Sequence, residues 1–181
     1  MVGRRRARVS GAPPSAAGER TRAPRARPVL DAKAARLAAA DLLSRRAWTK
    51  SELTRRLVRR GAPQGTAAEV VADLAARGYI DDAAFARHFV ETRAARGYGA
   101  ARLAGELRAR GVAPALVTGA LAALDGDAQL DRARALAQRR LVTLRRISEE
   151  RAAARLRDYL LRRGFDSGVV LRVVRELIPA R

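Results

Sequence analysis

From residue 31 onward, apolar positions recur three and four apart along the chain, the spacing of helices with one buried face. No stretch sustains strict alternation, and β-branched residues are sparse outside a few valine pairs, so strands are not expected. Helix starts are marked by Asp31, Thr49 with Glu52, Thr66 with Glu69, Asp81 or Asp82, Asp127, Ser148, and Asp166 or Ser167. The two hydroxyl–carboxylate pairs fit the capping box, and Pro114 suits a first turn. Gly61, Gly78, Gly97, Gly111 and Gly164 stand where helices should stop.

The glycines expose an internal repeat. Leu53, Leu57 and Gly61 are spaced four and four, as are Leu103, Leu107 and Gly111, and again Leu156, Leu160 and Gly164. The match continues downstream through Val70, Val71 and Leu74; Ala120, Leu121 and Leu124; and Val173, Val174 and Leu177. The periods are 50 and 53 residues. Each unit reads as three helices, the first spanning 31–46, 81–96 or 127–146, the second carrying the Leu-x-x-x-Leu-x-x-x-Gly pattern, the third short. One such unit buries its apolar face poorly alone, and stacking three buries more. The predicted fold is all-α: an elongated, curved array of three tandem three-helix, helix-turn-helix-like repeats over 30–79, 80–125 and 126–181.

Residues 1–29 differ from this body. They hold eight arginines, one acid (Glu19), four prolines and no hydrophobic periodicity, and are expected to be disordered. They lack the apolar core of a secretory signal. An electrostatic tether and a dispensable extension are both open readings of this tail.

Charge changes the picture most. The 181 residues carry +20 at neutral pH, and all but Lys33 and Lys50 of the 38 basic residues are arginines. The tail holds only +7 of this, so the body is basic in its own right. A nucleic acid, an acidic protein surface or anionic lipid is the expected partner, although an Ala- and Arg-rich, Lys-poor chain is also what a GC-rich genome encodes. The absence of cysteine excludes disulfides, thiolate zinc sites and cysteine nucleophiles. With His88 alone no His-pair metal site can form, and no Gly-x-Ser-x-Gly motif marks a nucleophile for a Ser–His–Asp set. No catalytic residues, metal or cofactor are therefore expected, and no stretch is apolar enough to span a membrane.

Arginines cluster on the second helices, away from the leucine face: Arg55, Arg59 and Arg60; Arg102, Arg108 and Arg110; Arg155, Arg157, Arg162 and Arg163. Stacked units could align them into a basic stripe. The arginine before each glycine (Arg60, Arg110, Arg163) also suits a helix C-terminus on purely structural grounds. Asp81-Asp82 reads as a cap rather than a metal pair. Tyr79 reads as packed in the core with its hydroxyl at the surface, and His88 as structural. Trp48 reads as a staple between the first two helices. Gly97-Tyr98-Gly99 reads as a helix-to-helix turn, not a phosphate loop, with Tyr98 available to a base or a partner protein.

The stretch 77–112, RGYIDDAAFARHFVETRAARGYGAARLAGELRARGV, resembles the most characteristic segment of the RecX family, bacterial regulators of the recombinase RecA. The matching residues are Gly78, Tyr79, Ile80, Asp81, Asp82, Phe85, Ala86, Arg93, Gly99, Leu107, Gly111 and Val112. The resemblance covers about 31–178; the third unit carries it more weakly and the tail lies outside it. It implies three three-helix repeats and a cytoplasmic, non-enzymatic protein. Such a protein binds the RecA–DNA filament along its groove and restrains recombinase, ATPase and coprotease activities. It also implies partners, bound by a monomer: the RecA filament and single-stranded DNA, with double-stranded DNA as an open further partner. Candidate contacts are Arg55, Arg59, Arg60, Arg93, Arg96, Tyr98, Arg102, Arg108, Arg110, Arg157, Arg162 and Arg163, while Gly78, Tyr79, Ile80, Asp81, Asp82, Phe85, Gly99, Leu107 and Gly111 are mainly structural. A plain DNA-binding protein of helix-turn-helix units is the alternative. The third helices begin TAAEVV, PALVTG and SGVVLR, which offer few side chains for base edges.

Overall fold

The structure is a computed structural model that describes residues 29–124 and 126–179; the arginine- and proline-rich tail expected to be disordered lies outside them, save Val29. Nine α-helices and no strand occur among the described residues. They are α1 (Ala32–Arg45), α2 (Lys50–Arg59), α3 (Gln64–Ala76), α4 (Asp82–Ala95), α5 (Ala100–Ala109), α6 (Pro114–Ala122), α7 (Gly126–Val142), α8 (Glu149–Arg163) and α9 (Ser167–Leu177).

The helices pack in threes: α1 to α3, α4 to α6, and α7 to α9. Each trio closes on two leucines one turn apart on its second helix. Leu53, Leu57, Leu103, Leu107, Leu156 and Leu160 are all fully buried, and each would cost about 2–5 kcal/mol if cut to alanine. The first helices offer small residues four apart, such as Ala35 and Ala39 or Ala133 and Ala137, all fully buried. These let the helix axes approach closely. The third helices complete the cores with Val70 and Val71, Val117 and Ala120, and Val170 and Val173. The periodicity therefore marks three tandem units, each with its own core. Ile80 precedes α4 in sequence but packs into the first core.

All five glycines adopt the left-handed backbone expected at a helix stop. Asp31, Thr49, Asp81 and Asp166 cap with their side chains. Thr66 does not. Pro63 takes the cap position and α3 starts at Gln64, so Thr66 is already inside the helix. Ser148 occupies its cap position without a side-chain bond. The long helix expected over 127–146 ends at Val142. There the Arg140 carbonyl accepts from both the Thr143 N–H and the Thr143 hydroxyl, a local competitor for helix continuation. Arg145 and Arg146 consequently lie in the turn before α8.

Candidate nucleic-acid interface

The units meet through the ends of their second helices. At the first joint, the C-terminus of α5 abuts the N-terminus of α2. The buried Thr49 hydroxyl accepts from the Glu52 N–H at 3.1 Å and donates to the Arg110 carbonyl at 2.7 Å. The Lys50 N–H donates to the buried Asp82 carboxylate at 2.9 Å. Arg110 Nη1 donates to Glu52 Oε1 at 2.8 Å. At the second joint, the C-terminus of α8 abuts the N-terminus of α5. Gly99 N–H donates to the Arg163 carbonyl at 2.9 Å, and Ala101 N–H to the Gly164 carbonyl at 3.1 Å.

This contact leaves no room for side chains. A Cβ on Gly164 would lie 2.5 Å from the Arg102 nitrogen, and one on Gly111 would collide with the Ser51 side chain. Both glycines also have positive φ, 87° and 79°, which disfavours any other residue. The result is an end-to-end row α8–α5–α2 with a contour of roughly 50 Å, taking ~1.5 Å per helical residue.

Arginine–aromatic contacts run along the row. The Arg110 guanidinium lies 5.2 Å from the Phe89 ring centroid and 5.8 Å from that of Phe85. Arg93 sits over Phe89 and Tyr98. Tyr98 is approached by three guanidiniums: Arg102 at 4.4 Å, Arg163 at 5.3 Å and Arg93 at 5.8 Å. Arg163 also faces Tyr159, which Arg140 approaches in turn. Such contacts hold the flat guanidinium against the ring face and leave its edges free to hydrogen-bond.

Three models of the RecX family match the chain: the first three-helix domain at 35–74, the second at 81–121 and the third at 127–174. The chain belongs to the RecX family. The regulatory protein RecX of Halorhodospira halophila is 41% identical over 143 residues, covering 76% of this chain and 84% of that one. The RecX of Streptomyces coelicolor is 36% identical over 169 residues, covering 93% and 88%. The crystal structure of RecX from Lactobacillus salivarius shares the fold, with a TM-score of 0.74 over 81% of this chain and 96% of that one, at 20% identity. A second RecX crystal structure matches at a TM-score of 0.73, 24% identity, and 78% and 70% coverage. Its three tandem three-helix units coincide with the family's three domain models, and its curated relatives are named regulatory proteins.

The structure sorts the arginines singled out in the sequence. Arg93, Arg96, Tyr98, Arg102 and Arg163 come together at the second joint, where Arg163 Nη1 also reaches the Arg96 carbonyl at 3.5 Å. Arg110 sits at the first joint, and Arg55 reaches across it to the Ala109 carbonyl. Arg60 is tied to α1 through the Ala38 carbonyl and the Asp41 carboxylate. Arg59, Arg108, Arg157 and Arg162 are exposed on the row, Arg157 lying 4.0 Å from Asp158.

Among the motif residues, Gly78 turns the chain with positive φ and Asp81 caps α4. Phe85 stacks on Phe89, and Leu107 is core. Tyr79 corrects an expectation: it is 67% exposed. Its backbone N–H closes the α3 terminus on the Leu74 carbonyl, and Ile80 rather than Tyr79 fills the core. His88 is likewise at the surface. Trp48 packs against the first core and ties back to α1, its indole N–H donating to the Leu42 carbonyl at 2.9 Å, with Arg46 stacked 3.4 Å over the ring.

Sequence reasoning missed Tyr159, and it missed Thr49 and Asp82 as joint residues, because their partners are backbone groups some sixty and thirty residues away. No group of three metal-ligating side chains occurs among the described residues, and no helix among them is long and apolar enough to cross a membrane.

Proposed function

We propose that this chain binds RecA–single-stranded-DNA filaments along their groove and restrains recombinase, ATPase and coprotease activities without catalysing a reaction. The observation that carries this reading is the α8–α5–α2 row, an end-to-end run of helices on which Arg55, Arg59, Arg102, Arg108, Arg155 and Arg162 are exposed. A groove-following ligand needs length and charge rather than a pocket. Cations in line give phosphate affinity without sequence preference. Membership of a family of regulatory proteins supports the same reading. Within it the protein acts in the cytoplasm, as a monomer, in recombinational repair and the SOS response.

A plain DNA-binding module is the second reading, since each unit is a helix-turn-helix-like trio. The third helix of the second unit disfavours it: α6 presents Pro114, Ala115 and Leu116 at its start, side chains without base-edge donors. The deciding experiment titrates the protein into preformed RecA filaments on single-stranded DNA at two salt concentrations. DNA-dependent ATP hydrolysis and filament mass are followed together. Inhibition below one protein per recombinase subunit, beyond that of a matched basic protein, is expected. No effect despite tight binding to naked DNA would move the assignment to the second reading.

A further inference from the structure

The two joints share one geometry but differ in charge. In α2 the third residue past the Thr49 cap is Glu52, and in α5 the third residue past the Gly99 cap is Arg102. Arg110 and Arg163 each precede the left-handed glycine that closes the facing helix. At the first joint the Arg110 guanidinium meets the Glu52 carboxylate at 2.8 Å, and Arg46 reaches the same carboxylate at 3.7 Å. At the second joint the counterpart of Glu52 is itself a cation. Arg163 has no carboxylate within ion-pair distance among the described residues; its guanidinium touches two tyrosine rings and the Arg96 carbonyl. Arg102 and Arg93 share the single acid Glu106, at 2.8 and 3.8 Å.

Three guanidiniums therefore crowd around the half-buried Tyr98 with one carboxylate between them. Like charges held this close repel unless an anion lies among them. The ring contacts hold the guanidiniums near Tyr98; Arg102 Nε already donates to Glu106 and Arg163 Nη1 to the Arg96 carbonyl, and the remaining N–H groups of each are donors an oxyanion can take.

We infer that the second joint is a phosphate seat: Arg102 and Arg163, held on Tyr98, take one phosphodiester group of a nucleic-acid backbone. A backbone is favoured over an acidic protein segment because the cations continue on both sides of the seat. Arg108 lies on α5 one way, and Arg162 and Arg155 on α8 the other, all exposed. A phosphate there bridges the ends of two units, so binding also fastens the second domain to the third. The first joint, closed by its own ion pair, takes no phosphate. The inference rests on the nucleic-acid part of the reading above and locates it.

The test uses the full chain and a fluorescein-labelled oligo-dT of twenty nucleotides, with anisotropy read from 50 to 200 mM NaCl. Arg102→Glu copies the first joint, giving Arg163 the carboxylate Arg110 already has at the loss of the Glu106 pair, and should keep its helical circular-dichroism spectrum at the assay temperature. Its affinity should fall at least tenfold at 50 mM, and its salt slope should flatten by about one unit. Arg36→Glu on α1 makes the same charge change off the row and should fall less than threefold. Arg102→Gln, which repels nothing, should fall in between. Equal losses for Arg36→Glu and Arg102→Glu would overturn the seat, as would a wild-type chain that does not bind the oligonucleotide. Unchanged oligonucleotide binding with loss of filament inhibition would overturn it too and turn this surface toward protein. Loss of oligonucleotide binding in Arg102→Glu, with no filament inhibition by wild type, would keep the seat and remove the recombinase reading.

Discussion

The Thr49 hydroxyl lies 2.7 Å from the Arg110 carbonyl, across sixty residues of sequence, while it caps its own helix at the Glu52 N–H. One buried side chain thus serves two helix ends, the N-terminus of α2 and the C-terminus of α5. Replacing it with valine keeps the volume and removes both bonds. Thr49→Val should cost about 1–3 kcal/mol in urea unfolding, and Thr49→Ser should recover most of the loss. A loss below half a kcal/mol in Thr49→Val would remove the hydroxyl from the account of the joint.

Gly164 and Gly78 separate backbone strain from close packing. Both have positive φ, but a Cβ on Gly78 meets nothing within 4 Å, whereas one on Gly164 meets the backbone of Arg102. Gly78→Ala should cost about 1–2 kcal/mol for the left-handed conformation alone. Gly164→Ala should cost that plus about 1–3 kcal/mol of steric conflict, and it should loosen the second joint. Hydrogen exchange at Gly99 and Ala101, whose N–H groups donate across that joint, should accelerate in Gly164→Ala and not in Gly78→Ala.

Two carboxyls make the fold acid-sensitive. The Ala84 N–H, helped by the Ala83 N–H, holds the Asp81 carboxyl below its ordinary range. The Arg134 guanidinium grips Glu176 at 2.7 and 3.0 Å, holding that carboxyl down and raising Arg134 in return. A carboxyl depressed on folding contributes stability above its unfolded value and loses it as pH falls through the folded one. Melting temperature should therefore hold from neutrality down to about pH 5 and fall below about pH 4. Asp81→Asn and Glu176→Gln should each lower the neutral melting temperature and flatten the acid fall. A parallel fall in both variants would show that other groups carry it.

Arg132 on α7 points the other way. Its Nε and Nη2 are buried without a hydrogen-bond partner among the described residues, beside a cavity of about 430 Å³ lined by Val90, Ala94, Ala120 and Leu124. Buried donors left unpaired cost about 1–3 kcal/mol each. Arg132→Met fills the same space without them and should raise the unfolding free energy by about 1 kcal/mol. A drop would mean that the guanidinium finds a partner in solution.

The helices and their grouping were legible because their signals are local. A leucine pair one turn apart followed by glycine states both the buried face and the stop, and it does so three times. Where local signals compete, the reading slipped by a turn. Thr66 with Glu69 mimics a cap, but α3 has already begun after Pro63, and Thr143 ends α7 before the arginines do. The joints were not legible. They are made by carbonyls of Arg110, Arg163 and Gly164, groups every residue carries, and only the folded chain says which ones meet. Tyr98 was flagged from its place between two glycines, yet the guanidiniums around it come from α4, α5 and α8.

The row also has a heading. Every joint hands a carbonyl at the end of one helix to a donor at the start of the next, so α8, α5 and α2 all point the same way. Their peptide dipoles add in series instead of cancelling. The leading end carries Glu149 and Glu150 in the first turn of α8, and the trailing end carries Arg59 and Arg60, with the Gly61 carbonyl closed by the Leu30 N–H. The two ends are chemically unlike, and turning the molecule end for end does not reproduce it. On the proposed nucleic-acid reading, a strand with its own 5′-to-3′ sense would meet this row in two inequivalent orientations.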